Sequence, residues 1–485
     1  MAVLPIGVLV WLAGSEARFA ASHLDLLATT LLLMGGTALG SVLVGVPLAL
    51  LTAFVRLPWP RLWLVLLAAP LALPSYVGAF TLYAATGPGG EFASLLGIAT
   101  PAVVGLPGGI LVMTLYTYPF VLLGTRAALL GQDANLLMAA RTLGMPLLES
   151  LVRVALPRAA NGIAAGALLA SLYALSDFGT PAILNIDTFT RVIYVEYNAF
   201  GLSQAALLSL QLLALVGLVV FLESRVTSTR EQPGASVLFH PGGGVVSLVA
   251  LAVAPVVVLA LVVPLGIFCL WLWREGQADF ELVHAWQSAY ASLLAAGVAA
   301  VFALPVAFAA RVGLAGRLME RVTFLGYGVP GIVMGTALVY LGLQVPVLYQ
   351  SLGMLVLAYV LRFLPLAVGT IRSSAEVLDD RLVGAARLLG AGPGEVFRRI
   401  SLPLTSRGIV AGAALVFLEA MRELPATLLL APTGFETLAT YLWRVYEAGL
   451  FGRAAIPGLL LIALSMVGLA LMFSGEAREA QGERV

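Results

Sequence analysis

The chain has 485 residues, 61% of them hydrophobic and 11% charged, with a formal net charge of +1. A soluble domain carries roughly 25% charged residues, so this composition describes a polytopic membrane protein, and its near-neutral balance points to no nucleic-acid partner. All 26 basic residues are Arg, which excludes a G-x-x-x-x-G-K-[ST] phosphate loop: if ATP drives this protein, another chain binds it.

A membrane-spanning helix needs about 20 apolar residues. Residues 1–13 are apolar but short for that, and they lack the basic start of a cleaved signal peptide. They read as a short first helix, followed by a loop with Glu16, Arg18, His23 and Asp25. Long apolar runs predict spans at about 27–55, 62–85 and 102–124, then 161–184 and 203–222. A polar linker at 223–244 follows, reading as a solvated connector. The second half repeats the plan, with runs at 245–273, 288–310, 322–343, 346–370, 408–430 and 454–473. The expectation is an all-α polytopic protein of about 12 spans, as two units at 1–222 and 245–485. Cys269 is the single cysteine, so intrachain disulfides and cysteine metal sites are excluded. His23, His240 and His284 show no ligand spacing, and no metal site is assigned.

Before the last two apolar runs of each half lies a polar stretch that the chain contains twice. The first copy is Ala139-Ala140-Arg141-Thr142-Leu143-Gly144, nine residues, then Val154-Ala155-Leu156-Pro157. The second is Ala385-Ala386-Arg387-Leu388-Leu389-Gly390, nine residues, then Ile400-Ser401-Leu402-Pro403. The same offset pairs Pro119 with Pro365, Arg126 with Arg372, Asp133 with Asp379 and Gly162 with Gly408. Such self-similarity marks a duplicated architecture, and duplicated halves are common in transporters. Paired alanines favour helix, and a glycine one turn later suits its stop. The stretch therefore predicts a short helix, a turn and a second short amphipathic helix at the membrane surface. Leu-Pro then marks entry into the next span. An incidental connector would not recur with this spacing.

The pattern Ala-Ala, three residues, Gly, nine residues, Ile-x-Leu-Pro resembles the cytoplasmic loop of binding-protein-dependent ATP-binding-cassette importer permeases. The family usually has Glu before the two alanines; here Met138 and Gly384 stand there. The resemblance implies that Ala139, Ala140, Arg141, Gly144, Ala385, Ala386, Arg387 and Gly390 form coupling loops for a separate ATPase dimer. It also implies a separate extracytoplasmic substrate-binding protein, a pseudo-twofold axis between the two units, and no cofactor on this chain. Two permease units fused in one chain look like iron(III) permeases and also thiamine ones. Ser176-Asp177-Phe178-Gly179-Thr180-Pro181 and Arg422-Glu423-Leu424-Pro425-Ala426-Thr427 resemble the iron(III) group more.

Arginine placement orients the chain. With the repeated loops cytoplasmic, the opposite side keeps only Arg18, Arg191, Arg274, Arg444 and Arg453 outside the apolar runs. The positive-inside rule then places both termini in the cytoplasm, and the family resemblance implies a bacterial inner membrane. Arg362 and Arg422 fall inside apolar runs. Ionisable residues at membrane depth are functional candidates. Asp177 and Glu423 pair at the repeat offset, and Glu419, Arg422 and Glu423 share one helix face. These four are candidate path residues; the competing reading makes Arg422–Glu419 internal glue and Asp177 a cap. Arg362 reads as structural. Pro70, Pro74 and Pro330 read as helix kinks. Three functions stay open: an ATP-driven importer of iron(III), the same architecture for thiamine or another small solute, and an ion-coupled secondary transporter. The paired loops favour the ATP-driven class. An enzyme has no support, since no nucleophile-and-His arrangement occurs.

Overall fold

The computed structural model describes residues 4–16, 19, 21–97, 100–226, 253–275, 281–376 and 378–467. Most of the expected linker, with Arg230 and His240, lies outside the described residues, as do Arg18, Arg478 and Arg484 and the start of the run at 245. Among the described residues the chain is helical, with one isolated bridge between Gly87 and Thr100 and no strand.

The first half runs α1 (Leu4–Glu16), α2 (Ser22–Phe54), α3 (Pro60–Ala68), α4 (Ser75–Ala85), α5 (Glu91–Leu96), α6 (Gly105–Leu130), α7 (Ala134–Thr142), α8 (Leu147–Arg158), α9 (Ala160–Ser176), α10 (Gly179–Ile183), α11 (Phe189–Asn198) and α12 (Leu202–Arg225). The second runs α13 (Val253–Arg274), α14 (Leu282–Val312), α15 (Leu314–Gly328), α16 (Gly331–Gln344), α17 (Leu352–Glu376), α18 (Asp380–Leu388), α19 (Pro393–Met421), α20 (Pro425–Leu430), α21 (Leu438–Glu447) and α22 (Phe451–Val467). Seven of these helices are long and apolar enough to cross a membrane, and ten spans result if each of three bent pairs is one. The shorter apolar helices α1 and α22 bring the plan to six per half.

Four apolar runs that read as single spans are broken. The run at 62–85 bends by 90° between α3 and α4, and the run at 322–343 by 100° between α15 and α16. Proline causes both bends: the residue before a proline is pushed out of the helical region, and Leu73 and Val329 are extended before Pro74 and Pro330. The runs at 161–184 and 408–430 stop at Asp177 and Arg422, then resume as the short helices α10 and α20. Asp177 and Glu423 thus sit at helix breaks, while Glu419 lies within α19.

The repeat offset also changes along the chain. It is 246 from α6 onward, but Pro74 and Pro330, which open α4 and α16, are 256 apart. The cause is α5 with the Gly87–Thr100 bridge, which the first half inserts between α4 and α6. The second half joins α16 to α17 through residues 345–351 alone. The insertion is anchored to the other half: Trp271 Nε1 and Arg274 Nη1 donate to the Glu91 carboxylate at 2.8 and 2.7 Å.

Each half packs its own α6- or α17-type helix against the helix that follows the polar loop. Small residues let the backbones close up. A Cβ on Gly166 would lie 2.5 Å from Val121 Cα, and one on its counterpart Gly412 would lie 2.9 Å from Ala367 Cα. Between halves the first helices are exchanged. α1 lies on α16, with the Trp11 and Tyr340 rings 5.4 Å apart, and α13 lies on α4, with Phe80 5.5 Å from Trp271. Each half therefore covers the broken helix of the other, which is the arrangement a pseudo-twofold axis requires.

Candidate functional site

The two repeated loops have the same local geometry. Asp133 caps α7 by accepting from Asn135 N–H at 2.9 Å, and Asp379 caps α18 by accepting from Arg381 N–H at 2.9 Å. Gly144 and Gly390 close these helices at φ +88° and +87°. Only glycine adopts that left-handed region without steric cost. Their N–H groups donate to the carbonyls of Arg141 and Arg387 at 3.0 Å. The next residues, Met145 and Ala391, reach back to Ala140 and Ala386 at 3.2 and 3.0 Å. These paired bonds form the Schellman stop. Ala139, Arg141, Ala385 and Arg387 face outward, while Ala140 is buried and Ala386 half-buried. The tips carry bare leucines: Leu143 is 87% exposed, Leu388 90% and Leu389 89%. Apolar side chains at such exposure mark a protein or membrane interaction surface.

Beyond the stop, the second short helix lies apart from the span, as expected, in the first half but not in the second. In the second half it runs unbroken through Leu402-Pro403 as α19; in the first, α8 meets α9 at a 69° bend. Both copies widen into a π turn, Leu151–Ala155 and Phe397–Ser401. Proline has no N–H and crowds the carbonyl four residues back. For Pro157 and Pro403 that residue is Arg153 and Arg399, inside each π turn.

The second candidate site lies at the other end of these spans. α9 has 17 residues, so Asp177 stands about 25 Å along it from the loop side. Asp177 accepts from the Ser75 hydroxyl at 2.9 Å and from the Thr180 N–H at 3.0 Å. Glu423 accepts from the Ala426 N–H at 3.2 Å and from Arg362 Nη1 at 2.6 Å. Thr180 and Ala426 are themselves 246 apart, so both carboxylates tie down the start of a short helix in the same way. The second donor is what differs. Ser75 opens α4, whereas Gly331 opens α16, and a Cβ there would lie 2.1 Å from Arg362 Nη1. The missing side chain makes room for the guanidinium.

Arg422 joins the halves. It pairs with Glu419, its Nε lying 3.1 Å from Oε2, and its Nη1 donates to the Ala72 carbonyl at 2.8 Å. Ala72 ends the turn before Pro74, so a charge of the second half satisfies a carbonyl freed by the helix break of the first. The structure thus places Asp177, Glu423, Arg422 and Glu419 about one interface. Asp177 is bonded to neutral donors, while both glutamates are engaged by arginines. Three carboxylates face two guanidiniums, leaving one negative charge in excess. Among the described residues, no group of three or more His, Cys, Asp or Glu is placed to hold a metal. Aromatic rings close the cluster on the side away from the loops: Phe178 lies 4.9 Å from Tyr194 and 5.2 Å from Trp443 of the other half.

Sequence reasoning missed three participants: Arg362 as the partner of Glu423, Ser75, and the Ala72 carbonyl. A signal existed for the first, since an arginine in an apolar run needs a partner. For the others the only pointer was Pro74, which frees backbone groups nearby.

Comparison with known proteins agrees with the duplication. The profile of the binding-protein-dependent transport system inner membrane component matches twice, at residues 45–231 and 296–478. The chain is 30% identical, over 94% of its length and 91% of the relative's, to an Fe(3+)-transport system permease protein, FbpB 2, of Haemophilus influenzae. It is 33% identical to a probable molybdenum ABC transporter permease protein of Haloferax volcanii, over 47% of this chain and 87% of that one. It is also 32% identical to the molybdenum transport system permease protein ModB of Escherichia coli, over 38% of this chain and 91% of that one. Single-unit relatives thus match about half of this chain, and a relative matching nearly all of it is an iron permease. With two full copies of the profile and a helical, multi-span architecture, this chain belongs to the binding-protein-dependent transport system inner membrane component family, as a permease with two fused units.

Proposed function

We propose that this chain is the membrane path of an ATP-driven importer of iron(III). A separate ATPase pair docks on Ala139–Gly144 and Ala385–Gly390, and a separate binding protein delivers cargo to the opposite face. The membrane is a bacterial inner membrane, with the loops and both termini in the cytoplasm. The observation that carries this reading is the matched pair of loops. Two helices with the same cap, the same glycine stop and the same exposed leucine tip suit two copies of one partner. A secondary transporter has no use for such a pair. Iron(III) as cargo is supported by the near full-length likeness to the Fe(3+) permease and by the excess carboxylate charge at the interface. A hard cation favours oxygen ligands of that kind.

The test is uptake of radiolabelled iron(III) by cells lacking the chain, with and without a restored copy. Loss on deletion and recovery on restoration are expected, with inhibition by vanadate and not by a protonophore. Unchanged iron uptake in cells with no second iron system overturns the cargo. Protonophore sensitivity without vanadate sensitivity overturns the ATP-driven reading.

A further inference from the structure

A cavity of about 580 Å³ opens on the loop side of the second half, lined in part by Arg311, Arg317, Arg321, Arg372, Glu320 and Glu376. Its size falls within the roughly 300–1,000 Å³ range of small-ligand sites. α14 ends at its rim, α15 forms one wall and the last turns of α17 another. Arg372 is engaged by the buried Glu320 and, at 2.9 Å, by Glu376. Arg311 donates to the Leu378 carbonyl at 3.4 Å, one residue before the cap of α18. Arg317 and Arg321, one turn apart on α15, have no ion-pair partner among the described residues.

The duplication separates the charges that both halves share from those of the second half alone. At the offset that pairs Pro74 with Pro330, Leu64 and Val65 stand opposite Glu320 and Arg321. At the offset of α6 and α17, Leu130 stands opposite Glu376. Arg61 stands opposite Arg317 and Arg126 opposite Arg372, so the additions of the second half are Arg321 and the two glutamates. The outer side of α15 presents exposed Leu314 and Leu318. The wall of the cavity therefore passes from arginine to lipid-facing leucine within one turn. Guanidinium forks match phosphate oxygens, and basic pockets between spans are suited to anionic headgroups.

We propose that this cavity binds the phosphate-bearing headgroup of an anionic phospholipid from the leaflet on the loop side. The inference is separate from the nature of the cargo. It is tested by native mass spectrometry of the full chain with phosphatidylglycerol added, comparing wild type with an Arg317→Gln, Arg321→Gln variant. Each arginine removed should weaken retention roughly fivefold, and both about 25-fold, with the melting temperature unchanged. Equal retention by wild type and variant overturns the proposal, as does equal retention of phosphatidylethanolamine. Displacement by inorganic phosphate at the lipid's own concentration reassigns the site to a soluble phosphate. Unchanged lipid retention with weakened ATPase retention makes the cavity a protein contact. Should the double variant fail to accumulate, Arg321→Gln alone, at an exposed position, carries the same comparison.

Discussion

Asp177 and Glu423 occupy equivalent positions and do different electrostatic work. Glu423 is 6% exposed and held by Arg362. Breaking such a buried pair from one side leaves an uncompensated charge and costs about 3–5 kcal/mol. Arg362→Met or Glu423→Met should therefore each lower the melting temperature strongly, while the double substitution should return most of the loss. Additive losses would mean that the two side chains are not a pair. Asp177 meets only neutral donors, and Asn keeps an oxygen that can accept from either Ser75 or Thr180. Asp177→Asn should leave the fold intact and lower iron(III) uptake at least about tenfold, equivalent to about 1.4 kcal/mol. Wild-type uptake by that variant would remove Asp177 from the path. Both residues stood out in the sequence because a carboxylate in an apolar run is rare. The Arg362–Glu423 pairing did not, because 61 residues separate the partners and periodicity carries no information across that distance.

At the scale of elements, glycine sets how closely helices approach and where they stop. A Cβ on Gly166 would stand 2.5 Å from backbone of α6, whereas one on Gly217 in α12 would meet nothing within 4 Å. Gly166→Ala should cost about 1–3 kcal/mol through overpacking, and Gly217→Ala should be neutral or slightly stabilising. Thermal unfolding of the two variants side by side checks this; equal behaviour would refute the close packing of α6 and α9. Gly144 and Gly390 have open space around a Cβ, so Val there costs only the backbone term of about 1–2 kcal/mol. That cost falls on the loop, not on the span. The loops were legible in the sequence because cap, stop and spacing are local signals, and each occurred twice. The breaks at Pro74 and Pro330 were legible as proline kinks, whereas those at Asp177 and Arg422 were not, because the apolar composition runs past them and does not register direction. The shift from 246 to 256 went unread for a related reason: α5 and its flanks are apolar and glycine-rich like the spans beside them.

For the molecule as a whole, the consequence of duplication is that neither half closes on itself. α1 covers α16, α13 covers α4, Arg422 satisfies Ala72, and Glu91 holds Trp271 and Arg274. Contacts that join the halves lie away from the loops as well as at membrane depth, so movement of one loop can be transmitted to the charged cluster through α9 and α19, which link the two. Duplication also exposes asymmetry. The two carboxylates use different second donors, and Glu320, Arg321 and Glu376 have apolar counterparts in the first half. A fused chain can hold such differences, because each half then has a fixed partner.

The most direct test of the central claim is iron(III) uptake by cells that lack the chain and receive it back as wild type, as Gly144→Val, as Gly390→Val, or with both changes. The ATPase retained on the purified protein is measured in parallel. Wild type should restore vanadate-sensitive uptake. Each single change should reduce both uptake and ATPase retention, and the double change should abolish both while the protein still accumulates in the membrane. Full uptake with both glycines replaced, in protein whose loops no longer hold the ATPase, would contradict the claim that paired loops couple this chain to ATP hydrolysis.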